Sequence, residues 1–254
     1  MRVVIKVGTS LIAPGGQINF QWMRSLIDQL DLVNDEYVIV SSGAIACGMV
    51  ALGLKQRPKQ LGSMQATAAV GQSRLVHTYE RLLFGEKVVA QLLLSSDDFS
   101  STVRYRNLCN TLKQLLRMKV LPIVNENDSV SVRELEGAFG DNDELSALVA
   151  CALNADWLVL LTGVDGFFRP NGRGGKPQLV RSVRRVTPAM EADCNGKSTL
   201  GRGGMRSKLR AALRATAAGI HVVIANGNHP QVIPLALRRR VGTYFSPLRT
   251  KAET

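Results

Sequence analysis

Short apolar runs rich in Val, Ile and Leu recur along the chain and alternate with longer stretches whose apolar residues return every three to four positions. The short runs predict strands over residues 3–7, 37–40, 88–94, 120–124, 157–161 and 221–225. The longer stretches predict helices over about 21–32, 64–83, 103–117, 143–153 and 207–218. Strand followed by helix, repeated through the chain, is the pattern of βαβ units and predicts an α/β protein with a mostly parallel sheet. A loop-rich stretch over 169–178 reads as a joint between a front and a back lobe.

Polar residues gather where strands end. Lys6-Val7-Gly8-Thr9-Ser10 leads out of the first strand and Ser41-Ser42-Gly43-Ala44 out of the second. Asn125-Glu126-Asn127-Asp128 follows the fourth, and Thr162-Gly163-Val164-Asp165-Gly166 the fifth. Open parallel sheets bind ligands outside the carboxyl ends of their strands, so this edge is the predicted site.

The residue types at that edge point to phosphate. Gly8 with Thr9 and Ser10, and Gly43 with Ser42 and Ala44, make turns that leave backbone N–H groups open to anionic oxygens. Lys6 ends an apolar strand, where a charge is costly without a ligand or a salt-bridge partner. Gly201-Arg202-Gly203-Gly204-Met205-Arg206-Ser207-Lys208 is a glycine-rich loop entering a helix with basic residues in its first turn. That placement opposes the helix macrodipole, and a bound anion accounts for it. Neither G-x-x-x-x-G-K-[ST] nor G-x-G-x-x-G occurs, and Gly174-Gly175-Lys176 runs into Pro177.

Asp141-Asn142-Asp143 opens the fourth predicted helix. One of these residues serves as an N-cap, and three in a row leave at least one to face a ligand. No His–Asp or His–Ser pair accompanies these motifs. A hydroxyl acceptor benefits from a general base, whereas a carboxylate is already ionised near neutral pH. The acceptor is therefore read as a carboxylate, with lysines neutralising the group in transfer.

Charge and composition refine this reading. The net charge is +12, and from Lys197 onward eleven Lys and Arg face one acid, Glu253. Such a flank attracts polyanions, either nucleic acid or a nucleotide triphosphate, or forms a solvated basic face at Arg238, Arg239 and Arg240. No aromatic platform for stacking bases lies among these residues, which leaves a nucleic-acid-binding module as a minor alternative. Cys47, Cys109, Cys151 and Cys194 are scattered, as are His77, His221 and His229, and no metal ligands are assigned. No apolar run approaches the roughly 20 residues of a membrane span, and no leader segment is evident, so a cytoplasmic protein is expected.

Taken together, Lys6-Val-Gly-Thr-Ser, Val40-Ser-Ser-Gly-Ala-Ile-Ala, Ala69-Val-Gly-Gln-Ser-Arg, Pro122-Ile-Val-Asn-Glu-Asn-Asp, Phe139-Gly-Asp-Asn-Asp-Glu-Leu-Ser-Ala and Gly203-Gly-Met-Arg-Ser-Lys-Leu resemble glutamate 5-kinase. The resemblance implies the amino-acid kinase fold, a three-layer αβα sandwich, in one domain over residues 1–254. Its N-terminal part would bind the amino acid and its part from about residue 155 the nucleotide. It implies phosphorylation of the γ-carboxylate of L-glutamate by Mg-ATP, the first step of proline synthesis. Acetylglutamate, aspartate or uridylate kinase are the sibling alternatives. Lys6 and Lys208 would contact the phosphoryl group and Asp143 would orient them. Ser42, Gly43, Ala44, Asn125, Asp128 and Asn142 would line the glutamate site. Lys6, Gly8, Thr9, Thr162, Gly163 and the loop formed by Arg202, Gly203, Gly204, Met205, Arg206, Ser207 and Lys208 would hold the nucleotide. The family often has Thr-Asp at Thr162-Gly163, so one side-chain contact near the nucleotide is expected to be either lost here or supplied by Asp165. A homodimer or homotetramer is expected, without the C-terminal PUA domain that many members carry. The acyl phosphate product is labile enough to suggest hand-off to the next enzyme.

Overall fold

The structure, a computed structural model, describes residues 1–130, 142–171, 175–194 and 204–248. Strand β1 (Arg2–Val7) is followed by α1 (Thr9–Ile12), a 3-10 turn (Pro14–Gly16), α2 (Phe20–Ile27), β2 (Glu36–Ser41), α3 (Ala44–Ala51) and α4 (Leu61–Leu82). Then come β3 (Val89–Leu94), α5 (Asp97–Ser100), α6 (Thr102–Arg117), β4 (Leu121–Glu126) and α7 (Asn142–Ala152). The chain continues with β5 (Trp157–Thr162), β6 (Phe168–Asn171), β7 (Gly175–Leu179), β8 (Ser182–Val183) and α8 (Pro188–Ala192). It closes with α9 (Met205–Ala217), β9 (His221–Asn226), α10 (Val232–Leu237) and β10 (Thr243–Phe245).

Eight strands form one sheet in the order β3-β4-β2-β1-β5-β9-β10-β8. From β3 to β9 every pairing is parallel. β10 runs antiparallel to β9, and β8 lies parallel to β10 at the edge. β6 and β7 make a separate antiparallel hairpin.

The central strands are apolar on both faces, as a sheet covered on both sides requires. Side chains alternate between the faces. Val4, Val38, Val40, Leu158 and Leu160 pack with Leu112 of α6, Leu145 of α7 and Leu209 of α9. Val3, Ile5, Ile39, Val159 and Leu161 pack on the opposite face with Met23 of α2, Leu75 and Tyr79 of α4 and Ile233 of α10. The result is the expected three layers, helix on sheet on helix.

The chain enters at β1, builds β2, β4 and β3 on one side, and then returns to place β5 and β9 on the other. Such a reversal opens a crevice at the carboxyl ends of the two strands that flank it. β1 and β5 therefore bracket the site.

Two sequence expectations change. The helix expected over 21–32 ends at Ile27, because the chain tightens into turns in which Gln29 N–H bonds Leu26 O and Leu30 N–H bonds Ile27 O. Leu30 still packs into the core, so its apolar period continued past the helix end. The stretch over 169–178, read as a joint, contains the β6–β7 hairpin. Helix α3 had no amphipathic signature to find, since AIACGMVA is apolar nearly all round. Among the described residues no helix is long and apolar enough to cross a membrane. All four cysteines are free thiols, and only Cys47 is fully buried.

Candidate active site

At the end of β1, the alternation that turns Val4 toward α7 and α9 turns Lys6 the same way. Lys6 is only 3% exposed, Lys208 is 5% exposed, and Asp143 is fully enclosed. Lys6 Nζ lies 2.7 Å from Asp143 Oδ1, and Lys208 Nζ lies 2.9 Å from Asp143 Oδ2. Ser207 Oγ–H donates to Asp143 Oδ2 at 2.7 Å. Two lysines separated by some 200 residues of chain thus meet on the two oxygens of one carboxylate.

The fold explains the meeting. Asp143 occupies the first turn of α7 and Lys208 the first turn of α9, and these two helices pack side by side on the face Lys6 points to. Burial alone pushes the Asp143 carboxyl up, but the charges of Lys6 and then Lys208 outweigh it. Hydrogen bonds from Lys6 and Ser207 act in the same direction, so the group is held well below the ordinary carboxylate range. It is a fixed anion that holds two ammonium groups in place.

Around this centre stand the other strand-end residues. Gly8 is the N-cap of α1, and a Cβ placed on it would sit 3.9 Å from Lys6 Nζ. Its backbone therefore runs directly beside the amine, and Thr9 follows it, exposed. Gly204 caps α9 with no side-chain hydrogen bond, and Met205, Arg206 and Ser207 complete the first turn with Lys208. Thr162 ends β5 beside Asn226 of β9, and Gly163 follows in open space. Asp165 Oδ1 accepts from Asn226 Nδ2 at 2.9 Å, which fixes that carboxylate near the β5–β9 ends. Arg202 and Gly203, like Asp141, lie outside the described residues.

A second constellation adjoins the lysines. Gly43, the N-cap of α3, has φ of +110° and would drive any Cβ against Ile12, so the turn needs glycine. Before it stands Ser42, and after it the buried Ala44. Asn142 Nδ2–H donates to Ser42 Oγ and to Asn125 Oδ1, both at 2.9 Å. Asn125 Nδ2–H in turn donates to Gln72 Oε1 of α4 at 2.8 Å. A chain of amides thus passes over the sheet edge from α7 to α4. Asp128 lies half-buried in the turn after β4. Gln72 lies in the Ala69-Val-Gly-Gln-Ser-Arg segment on which the resemblance rests, but the sequence assigned it no role.

The basic C-terminal third splits by location. Lys208 enters the site, whereas Arg210 pairs with Glu191 at 3.2 Å and Arg214 with Glu144 at 3.0 Å. The Arg239 guanidinium lies 4.3 Å from the Tyr244 ring centroid and 5.8 Å from that of Trp157, the first residue of β5. That places it at the opposite edge of the sheet from Lys6.

Two lysines held on one buried aspartate, at the strand-order reversal of an αβα sandwich, are the arrangement a kinase of this fold presents. The chain belongs to the amino acid kinase family, whose sequence profile matches residues 1–226. Relatives within that family are named glutamate 5-kinase. The one from Synechococcus sp. (strain JA-3-3Ab) is 43% identical over 254 residues, covering 96% of this chain and 68% of the relative. The one from Clostridium acetobutylicum is 44% identical over 255 residues, covering 97% of this chain and 94% of the relative. Among solved structures, the carbamate kinase from Giardia lamblia bound to AMP-PNP superposes with a TM-score of 0.67 at 18% identity. That match covers 96% of this chain and 98% of the other, and it speaks for the fold alone.

Proposed function

We propose that the protein transfers the γ-phosphoryl group of ATP to the γ-carboxylate of L-glutamate, giving L-glutamyl 5-phosphate. The observation that carries this reading is the pair of buried lysines on Asp143, set against a neutral polar cleft from Ser42 to Gln72. Relatives at more than 40% identity named glutamate 5-kinase support the choice of acceptor.

Phosphoryl transfer asks little covalent chemistry of a protein. It needs two anions held in line and neutralisation of charge on the migrating group. Lys6 and Lys208 supply that charge from opposite sides, already oriented by Asp143, so little reorganisation is needed in the transition state. The glutamate carboxylate is ionised near neutral pH and needs no base. Ser42, Gly43, Ala44, Asn125, Asp128 and Asn142 are assigned to glutamate, and the acceptor half is the part before about residue 155.

The nucleotide is assigned to the later half. The N-terminus of α9 at Gly204, the Gly8 backbone beside Lys6, and the space at Gly163 fit an anionic, phosphate-bearing ligand. Thr9, Thr162, Met205, Arg206 and Ser207 line the approach. Mg²⁺ would neutralise phosphate charge when bound. Mg²⁺ keeps several waters and is commonly held through substrate phosphates with one or two carboxylates. ATP-dependent formation of a hydroxamate from glutamate and hydroxylamine tests the assignment. Glutamate is expected to react and aspartate and acetylglutamate to fail; preference for either control would overturn it.

A further inference from the structure

The amide chain has a direction that one backbone group fixes. Glu126 N–H donates to Asn125 Oδ1 at 2.9 Å, so that atom of Asn125 is its oxygen. Its nitrogen then faces Gln72, and the Gln72 atom that meets it must be the acceptor Oε1. On the other side, the Asn142 atom that meets Asn125 Oδ1 must be the donor Nδ2. Every amide in the chain is oriented by this reasoning, and two polar atoms remain. They are Gln72 Nε2, a donor, and Asn142 Oδ1, an acceptor, both fully enclosed and without a hydrogen-bond partner.

Buried amides without partners are rare because each forfeits its bond to water. One unmet donor and one unmet acceptor, flanking the same asparagine, form a complement to a carboxylate beside an ammonium. That pair of groups is carried on the α-carbon of an amino acid. We propose that Gln72 is a specificity-determining residue of the acceptor site, its Nε2–H donating to the substrate α-carboxylate while Asn142 Oδ1 accepts from the α-ammonium. This rests on the reading of the acceptor as glutamate.

The geometry supports the assignment in two further ways. Asn142 adjoins Asp143 in sequence, whereas Gln72 is two hydrogen bonds further along, so Gln72 is the end of the amide chain away from the Asp143 centre. A substrate with its reacting carboxylate at the lysines presents its other end there. Gln72 is also held rigidly. Its neighbour Gly71 lies so close to α3 that a Cβ would collide with Ala44 O and the Gly48 backbone. Gln72, 6% exposed, is therefore fixed next to the turn through Gly43 and Ala44.

The test uses three ligands of the purified protein: glutamate, 4-aminobutyrate, which lacks the α-carboxylate, and glutarate, which lacks the ammonium. The last two are measured as competitive inhibitors against glutamate. In Gln72→Met the KM for glutamate is expected to rise about 10- to 100-fold, the worth of a hydrogen bond to a charged group. Glutarate should weaken in parallel, while 4-aminobutyrate and the KM for ATP stay at parent values. Gln72→Glu keeps an oxygen for Asn125 but sets a negative charge where the α-carboxylate lies. Glutamate should weaken further and 4-aminobutyrate should bind more tightly, an opposition of sign that a misfolded variant cannot produce. Equal weakening of all three ligands, or a parent-like KM for glutamate in both variants, overturns the role of Gln72. A parent protein that fails to phosphorylate glutamate at all overturns the substrate reading itself, and this assignment with it.

Discussion

The two halves of the site solve opposite electrostatic problems. Around Asp143 the side chains are charged and enclosed, and each is held by another charge. From Ser42 to Gln72 the side chains are neutral amides and a hydroxyl, each positioned by its neighbour's dipole. Enclosed charge is costly to assemble but is strongly felt by a group whose own charge is being redistributed. Neutral amides are felt weakly by moving charge but discriminate shape and donor pattern well, because a mismatch leaves one of them unpaired. Damage to the first half should therefore appear in turnover, and damage to the second in substrate affinity.

The sharpest way to break this division is to remove Asp143. Asp143→Asn leaves two buried ammonium groups without their shared counterion. It should cost about 3–5 kcal/mol of stability, readable by urea unfolding, together with most of the activity. Lys208→Ala should lower kcat by about 100-fold or more while KM for glutamate changes little; a near-parental kcat would end its assignment to the phosphoryl group. Asp128→Ala should act in the other sense, raising KM for glutamate about tenfold or more with kcat nearly kept. An unchanged KM would remove Asp128 from the acceptor half.

A milder probe is pH. The Asp143 carboxyl is depressed in the folded protein, so on acidification the unfolded chain takes up its proton first. Its contribution is complete above the unfolded value of about 4 and is lost progressively as pH falls below it. The stability difference between parent and Asp143→Asn should be flat from pH 7 to about 5 and shrink toward pH 3. The smallest effect is expected at Gly163, where an added Cβ meets nothing within 4 Å. Gly163→Asp should leave the melting temperature within about 1 °C of the parent, a shift within the usual range for exposed positions.

Much of this is legible in the sequence. The β-branched runs located the central strands to within a residue or two, because a strand buried on both faces has no other way to be written. The lysine at position 6 stood out for the same reason, as a charge ending an apolar strand. What the chain could not announce was geometry set by pairing. That Lys6 and Lys208 would share one carboxylate depends on β1 lying between β2 and β5 and on α7 packing against α9. Gln72 stood in a segment that carries the resemblance, but its role was not legible there. It differs from neighbouring polar residues of α4 only in facing Asn125, a contact fixed by the strand order and by the helix crossing at Gly71. Short elements such as β8 and α10 carried too few residues to show a period.

The crossing of α3 and α4 has a mechanical consequence. At Gly48 and Gly71 the two backbones touch with no side chain between them, so neither helix can slide or roll without taking the other along. The glycine turn at the head of α3 and the glutamine on α4 are in effect mounted on one rigid bracket. A displacement of α4 therefore carries the turn at the head of α3 with it, and the spacing between that turn and Gln72 is set by the helix crossing.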